Sequence, residues 1–213
     1  MRITIGVPYS TASYGVSPSW ALALRKLVVP CNYDIHIIKG YPIDVARTYC
    51  AKLAIQDGSD YLLFLDADVI PESYDALLQL LQWKLPVVCG VYALKRVENN
   101  VFPLSIFKKN GEAYTPMTWS DVPKGHRLVE VDGSGLGFTL IDLSIFKALK
   151  EPWFEWDIKP WEMDAALSED IFFFKKLSDE LGVKAYADTA ITCKHVIGPG
   201  LALNVNGELE VVL

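Results

Sequence analysis

The sequence is poor in cysteine and in long apolar runs. Its four cysteines lie far apart with no CxxC spacing, which excludes the common zinc motifs and a disulfide framework and is typical of a reducing compartment. No apolar stretch approaches the roughly 20 residues that a membrane-spanning helix needs. The first residues read as a strand that Pro8 interrupts too early for a signal peptide. We therefore expect a cytoplasmic protein, and a mean hydropathy of +0.22 leaves room for a peripheral membrane contact.

Basic charge is scarce as well. The chain has 20 Lys and Arg against 26 Asp and Glu, a net charge of −6, which excludes a typical nucleic-acid binder. With 51% hydrophobic and 22% charged residues over 213 positions, the composition excludes intrinsic disorder and suffices for one substantial core. No internal repeat or linker is evident, so we predict a single domain over residues 1–213.

The first ninety residues alternate between strand and helix patterns. This alternation predicts βαβ units, and hence a parallel sheet with helices on both faces. The predicted strands cover 2–7, 33–39, 61–65 and 85–90, and the predicted helices cover 17–29, 43–56 and 71–83.

The pattern is less regular after residue 90. We expect a strand over 101–109 that turns at Asn110-Gly111, a loop over 112–125, and a strand over 127–131 that is its partner or neighbour. Asn206-Gly207 predicts a type I′ hairpin in the tail. The remaining predicted elements are helices over 142–149 and 168–181 and strands over 183–187 and 189–196.

The string FLDADVIP places Asp66 and Asp68 just past a buried strand. In extended backbone, residues two apart point the same way, and ligands of open parallel sheets bind beyond the carboxyl ends of the strands. Two converging carboxylates there predict an oxygen site for Mg²⁺ or Mn²⁺, which commonly also takes substrate phosphates. The simpler alternative is that these residues only cap a turn.

A second functional interpretation of the same string is open. YLLFLDADV fits the nucleophile signature of haloacid-dehalogenase-type phosphatases, with Asp66 as nucleophile. Those enzymes usually carry the signature on the first strand and add a later acidic pair. Here two βα units come first, and the late strand is followed by Asp188 without a second carboxylate nearby. This arrangement argues against phosphate hydrolysis.

Four ordered segments resemble GT-A glycosyltransferases, particularly the nucleotide-sugar-dependent family 2 group. They are ITIGVPYST, DVARTYCAKLAIQDGSDYLLFLDADVIP, VDGSGLGFTLIDLSIFKAL and SEDIFFFKKLSDELGVKAYADTAITCKHV. The resemblance implies an α/β GT-A fold with a mixed central sheet and a Rossmann-like N-terminal half. Residues 1–100 would form the nucleotide-binding half, and residues 101–213 the acceptor-side half with a C-terminal hairpin.

The resemblance also implies roles on the donor side. Pro8 and Tyr9 would contact the nucleobase, and Arg47 would lie near the base or the diphosphate, where a guanidinium suits phosphate oxygens. Asp66 would face ribose or metal, and Gly137 would let the backbone approach the donor sugar. Each has a simpler explanation: a turn for the first pair, a solvated helix residue for Arg47 and a tight turn for the glycine.

Four further residues acquire roles from the resemblance. Asp170 would be the general base of an inverting transfer, with a pKa kept low by the helix N-terminus; the alternative is a helix cap after Ser168. Glu169 and Trp161 would contact the acceptor, although the tryptophans of PWFEWDIKPW could equally form a satellite core. His195 would ligate the metal with Asp68 and Asp66, where a lone histidine near a strand end is often structural.

The sequence thus predicts an enzyme that moves a hexose-type unit from a nucleotide-sugar donor, UDP-linked by expectation, with Mn²⁺ or Mg²⁺. The acceptor could be a saccharide, a lipid-linked group or a protein. Two alternatives stay open at this point: the phosphatase, and a catalytically silent sugar-binding domain.

Overall fold

The computed structural model describes residues 1–9, 16–98, 100–157 and 167–212. Within these ranges the chain forms thirteen strands and five helices. The strands are β1 (Arg2–Tyr9), β2 (Asn32–Lys39), β3 (Tyr61–Leu65), β4 (Val69–Pro71), β5 (Val87–Val91), β6 (Ile106–Asn110), β7 (Ala113–Pro116), β8 (Leu128–Val131), β9 (Gly133–Ser134), β10 (Phe138–Asp142), β11 (Ala185–Gly198), β12 (Leu201–Leu203) and β13 (Leu209–Val211). The helices are α1 (Pro18–Lys26), α2 (Ile43–Gln56), α3 (Ala76–Gln82), α4 (Ser144–Ala148) and α5 (Glu169–Leu181).

The central sheet is mixed, and it combines strands from both ends of the chain. Its strand order is β13-β12-β11-β5-β10-β3-β1-β2, with β4 and β8 also paired to β11. Strands β1, β2 and β3 are mutually parallel, as are β5 and β11, whereas β10 runs antiparallel between β3 and β5. A separate sheet has the order β7-β6-β9. The prediction of an α/β protein with a mixed central sheet is confirmed.

Helices cover both faces of the central sheet, because the inner strands are apolar on both sides. On one face, α1 and α3 pack through Trp20 and Leu77 in a core that includes Leu63 and Leu65 of β3. On the other face, α2, α4 and α5 pack in a core that includes Phe64. This second core carries a cluster of aromatic rings, Phe64, Phe146, Phe154, Phe173 and Phe174.

Gly6 lets α2 approach β1 closely. A Cβ at this position would lie 2.8 Å from the Cβ of Cys50, which is tighter than real contacts allow. This approach fixes the helix against the strand, and the helix carries Arg47 on its buried side.

Two predicted boundaries in the N-terminal half are wrong. The helix predicted over 71–83 begins only at Ala76, because residues 69–71 form β4 and pair with β11. The helix predicted over 17–29 ends at Lys26. Its N-terminus is as predicted, with the Ser17 hydroxyl accepting a hydrogen bond from the backbone N–H of Trp20 at 3.0 Å.

The middle of the chain differs more from the prediction. The strand predicted over 101–109 begins at Ile106, and its partner across Gly111 is β7, which lies inside the predicted loop 112–125. The strand over 127–131, expected to be its partner or neighbour, pairs with β11, and the residues just after it, β9, pair with β6. A turn residue marks where a hairpin bends, but sequence does not say which distant strand completes a sheet.

Three later expectations also need correction. Residues 138–142 form the buried strand β10, so the helix predicted over 142–149 starts at Ser144. The two strands predicted over 183–196 are one long strand, β11, with an irregularity between Ala187 and Thr192. The tail turn is not type I′, because that type needs a positive φ at both Asn206 and Gly207, and of these two only Gly207 has one, at 79°. The Gly207 N–H bonds the Asn204 carbonyl, so the turn begins at Asn204 and ends on the left-handed glycine.

No helix in the described ranges is long and apolar enough to cross a membrane.

Candidate functional site

Asp66 and Asp68 lie in a turn that follows β3. The Asp66 carbonyl accepts hydrogen bonds from the N–H of Val69 and from the indole of Trp20, and the Asp68 carbonyl accepts one from Val196. The backbone is therefore not extended here, contrary to the expectation, and the two carboxylates meet different partners. Both nevertheless line the same cavity.

The Asp66 carboxylate is bound by Arg47. The two terminal nitrogens of Arg47 donate to the two oxygens of Asp66 at 2.9 and 3.0 Å, and its Nε donates to Glu169 at 3.0 Å. Arg47 is 3% exposed and Glu169 is 5% exposed. Burial alone would lower the pKa of Arg47, but the two carboxylates outweigh it and raise this pKa. Arg47 was expected to contact the sugar donor and Glu169 the sugar acceptor. The two side chains instead bind each other inside the protein.

Asp68 faces two cationic or potentially cationic groups. Its Oδ2 lies 2.5 Å from the Nζ of Lys95 and 3.6 Å from the Nε2 of His195. Burial would raise the pKa of Asp68, but the interactions with His195 and Lys95 prevail and lower it below its usual range. Asp68 is therefore an anion at any physiological pH.

The ring of His195 is held by two neighbours. Its Nδ1 lies 2.8 Å from the carbonyl oxygen of Ala93, which can only accept, so the proton sits on Nδ1. The ring of Tyr92 packs edge-on against the imidazole, with centroids 5.0 Å apart. The Nε2 atom is left facing Asp68, and in the neutral ring it carries a lone pair.

Asp170 lies in the first turn of α5. Its Oδ1 accepts a hydrogen bond from the N–H of Ile171 at 2.8 Å and another from the hydroxyl of Ser168. Burial and the adjacent charge of Glu169 raise the pKa of Asp170 to about 6. The expectation of a low pKa at this helix N-terminus is therefore wrong, because desolvation outweighs the helix dipole. A carboxylate with a pKa near 6 is well suited to proton transfer near neutral pH.

The other predicted donor residues lie at the end of β1 and just before β10. Pro8 lines the cavity, and the ring of Tyr9 lies 5.5 Å from the Lys39 ammonium. Gly137 accepts the N–H of Asp66 at 2.9 Å and donates its own to the hydroxyl of Tyr92 at 3.2 Å. The close approach at Gly137 is thus between parts of the protein itself.

Trp161 lies outside the described residues. Of the two other tryptophans in its segment, Trp153 is buried in the core and donates its indole N–H to the Leu149 carbonyl at 2.9 Å. Trp156 is 45% exposed. At least one of these tryptophans therefore serves the core.

A cavity of about 670 Å³ opens at this edge of the sheet. Its volume falls in the range of sites for nucleotide-sized ligands. Lys95 and the two strand-end carboxylates supply its charged lining, and the turn at Gly198-Pro199-Gly200 forms another wall. Its lining residues are Pro8, Val16, Ser17, Pro18, Ile43, Asp66, Ala67, Asp68, Lys95, Val196, Ile197, Gly198, Pro199, Gly200, Val211 and Val212.

Two residues of this site were not predicted from the sequence. Lys95 follows β5 and reaches Asp68, and Tyr92 holds both Gly137 and His195. Both lie at or just past the carboxyl end of β5. The rule that ligands bind at such strand ends could have nominated them.

The comparison with one solved structure supports the fold. No protein-family model and no curated protein matches the chain. The chain is similar to the crystal structure of A197 from STIV, with 25% identity and a TM-score of 0.69 over 100% of this chain and 95% of that one. A weaker similarity, with 13% identity and a TM-score of 0.48, links it to CMP:2-keto-3-deoxy-manno-octonic acid synthetase complexed with CTP, over 89% of this chain and 94% of that one. The similarity to A197 extends over the whole length, so this α/β fold is shared with a solved protein.

Proposed function

We propose that this chain is a GT-A-type glycosyltransferase that moves a sugar from a nucleotide-sugar donor, with Mn²⁺ or Mg²⁺. The observation that carries the proposal is the pair of Asp68 and His195 beside the cavity. A carboxylate oxygen and the Nε2 of a histidine whose Nδ1 donates to a carbonyl face each other 3.6 Å apart. Beside the Lys95 ammonium, which also contacts this carboxylate, the pair offers an oxygen and a nitrogen lone pair to a cation.

These residues fit a divalent cation. A metal-binding histidine commonly donates its other ring N–H to a carbonyl, as His195 does to Ala93. Among the described residues, no group of three or more His, Cys, Asp or Glu forms a ready-made metal site. Mg²⁺ is commonly held by one or two protein ligands and completed by water and substrate phosphates. When bound, the cation would neutralise charge growing on the departing nucleoside diphosphate.

The chain's own residues supply the rest of the chemistry. Asp170 takes the proton from the acceptor hydroxyl, which its raised pKa allows near neutral pH. Arg47 and Glu169 act as positioning residues, because they tie the turn of Asp66 to the helix of Asp170. Pro8 and the turn at residues 198–200 enclose the donor and exclude water.

The phosphatase alternative is less well supported. Its nucleophile would be Asp66, but both oxygens of Asp66 accept hydrogen bonds from Arg47. Asp188, the late-strand carboxylate, is completely buried and is bonded to Arg127 and Trp83. Neither group is presented to a phosphate ester in the way that a covalent mechanism requires.

Thermal stability in the presence of ligands tests the proposal. A nucleoside diphosphate with Mn²⁺ at about 100 times its Kd should stabilise the chain by roughly 2.7 kcal/mol, which for this size is a rise in Tm of about 5–10 °C. The rise should require both metal and nucleotide, and it should differ among UDP, GDP and TDP. A response to Mg²⁺ with beryllofluoride but without base preference would indicate the phosphatase. A response to free sugar but not to nucleotide would indicate a silent sugar-binding domain.

A further inference from the structure

A second cavity, of about 610 Å³, adjoins the first. Its lining is apolar except for one lysine. It shares Lys95 and Ile197 with the donor cavity, so the two spaces meet at these side chains. We call it the tail groove, and its lining residues are Lys95, Phe102, Ile197, Leu203, Gly207 and Leu209.

The hairpin of β12 and β13 forms one wall of the tail groove. Pairing places Leu201 opposite Val211 and Leu203 opposite Leu209, so these four side chains share one face. The opposite face packs on the core through Ala202 and Val212.

The outer face of this hairpin is unusual for a solvent-facing strand pair, which normally carries polar side chains. Here Leu201, Leu209 and Val211 are 41%, 64% and 76% exposed, whereas Leu203 on the same face is buried. Ile197 at the end of β11 adds a further side chain that is 42% exposed. Exposed apolar surface beside a ligand cavity is typical of a binding groove for an apolar group.

Lys95 gives the tail groove a polar end. Its ammonium has three N–H donors, and the contact with Asp68 uses one of them. The side chain of Lys95 is 38% exposed and lines both cavities. An anionic head group held there would sit beside the carboxylates of the donor site, with its chain directed into the groove.

We infer that the tail groove binds the acyl or alkyl chain of an amphiphilic acceptor whose head group is anionic, such as a phosphate. The inference rests on the proposed function and narrows its acceptor to a lipid-linked one. A saccharide does not suit the groove, because its hydroxyls would meet mainly apolar side chains there and lose hydrogen bonds to water. A single apolar chain has no hydrogen bonds to lose when it enters the groove.

Binding of n-alkyl phosphates to the intact chain tests the inference. Butyl, hexyl and octyl phosphate, kept below their micelle-forming concentrations, are compared with inorganic phosphate by calorimetry. Each added methylene that enters the groove should tighten binding by about three- to fourfold, up to the capacity of the groove. Equal affinity across the series would overturn the inference without reference to any variant.

Substitutions locate the binding. Leu209→Asn and Ile197→Asn should abolish most of the dependence on chain length, whereas Leu22→Asn, at an exposed leucine of α1, should leave it intact. A dependence that survives both groove substitutions in folded protein would overturn the assignment of the site. The stabilisation by UDP and Mn²⁺ separates the two proposals. If it occurs without any chain-length effect, the acceptor inference alone fails; if it is absent while octyl phosphate still binds, the glycosyltransferase proposal fails and the groove remains.

Discussion

The two terminal nitrogens of Arg47 donate hydrogen bonds to the two carboxylate oxygens of Asp66. These bonds link the helix that precedes β3 to the turn that follows it. The third contact of the same guanidinium, to Glu169, reaches a residue 122 positions away in the sequence. One buried side chain therefore joins the two regions of sequence that carry the candidate site.

Replacing Arg47 should be costly for stability. Arg47→Met would leave Asp66 and Glu169 without their cation in a buried setting, and we expect a loss of about 3–5 kcal/mol in the free energy of unfolding by urea. Arg47→Lys should lose less, because it keeps the charge but not the planar set of donors. Arg96→Met is the control, since Arg96 forms an exposed pair with Glu98 that should contribute under about 1 kcal/mol. A similar small loss for Arg47→Met would contradict the linking role.

Turnover should depend on pH through Asp170. Because burial raises its pKa to about 6, the fraction of ionised base, and with it the rate, should rise as pH increases through 6. Asp170→Asn should lower turnover by roughly 10²–10⁴-fold and remove this rise, while UDP binding stays near normal. A mutant within a few-fold of the parent at every pH would make Asp170 a helix cap only.

The same carboxyl should affect stability in the opposite sense. Its pKa is higher in the folded chain than the ordinary value of 3.8, so the folded state binds this proton more tightly than the unfolded state. Its contribution to stability is therefore greatest below about pH 4 and is lost as pH rises to about 6. Asp170→Asn should then stabilise the chain at pH 7 by on the order of 1–3 kcal/mol. Urea titrations at pH 4 and pH 7 measure this difference, and a variant less stable than the parent at pH 7 would refute it.

Metal-dependent donor binding should require Asp68 and His195 together. Asp68→Asn or His195→Gln should remove the part of the UDP-induced rise in Tm that Mn²⁺ provides, because each keeps the shape of a side chain but weakens a ligand. His126→Gln, at an exposed loop residue, should behave as the parent does. Full Mn²⁺-dependent stabilisation in both site variants would exclude this pair as metal ligands.

Gly137 should not tolerate a side chain. A Cβ there would lie 2.7 Å from a methyl of Val69 and 2.8 Å from the hydroxyl of Tyr92. We expect Gly137→Ala to cost about 1–3 kcal/mol of unfolding free energy through overpacking. Gly198→Ala, where a new Cβ would meet nothing within 4 Å, is the matched control. Equal unfolding midpoints and slopes for the two variants would argue against the close packing at Gly137.

Local signals in the sequence predicted much of the fold and nominated part of the site. The bounds of α2 and β3 were predicted as observed, because apolar periodicity, a closing glycine and a continuous apolar run are local features. The position of Asp66 and Asp68 just past β3 was predicted for the same reason, whereas the turn that holds them was not. Partners such as Arg47 with Glu169, or Lys95 with Asp68, arise only when distant segments pack, and no local pattern encodes them.

The position of β10 was missed for a related reason. Gly133, Gly135 and Gly137 precede its short apolar run, and this pattern is also typical of a loop that leads into a helix. Its strand state depends on the two neighbours that bond it, β3 and β5. β-structure is more dependent on such context than helix is.

The insertion of β10 between β3 and β5 has a consequence for biosynthesis. Residues 1–100 contain β3 and β5, but these strands do not touch in the sheet, so a ribosome-bound fragment of that length exposes two apolar strand edges. Those edges are closed only after residue 142 has left the exit tunnel, and β11 follows later still. The centre of the sheet can therefore be completed only after a segment from the second half of the chain has been made.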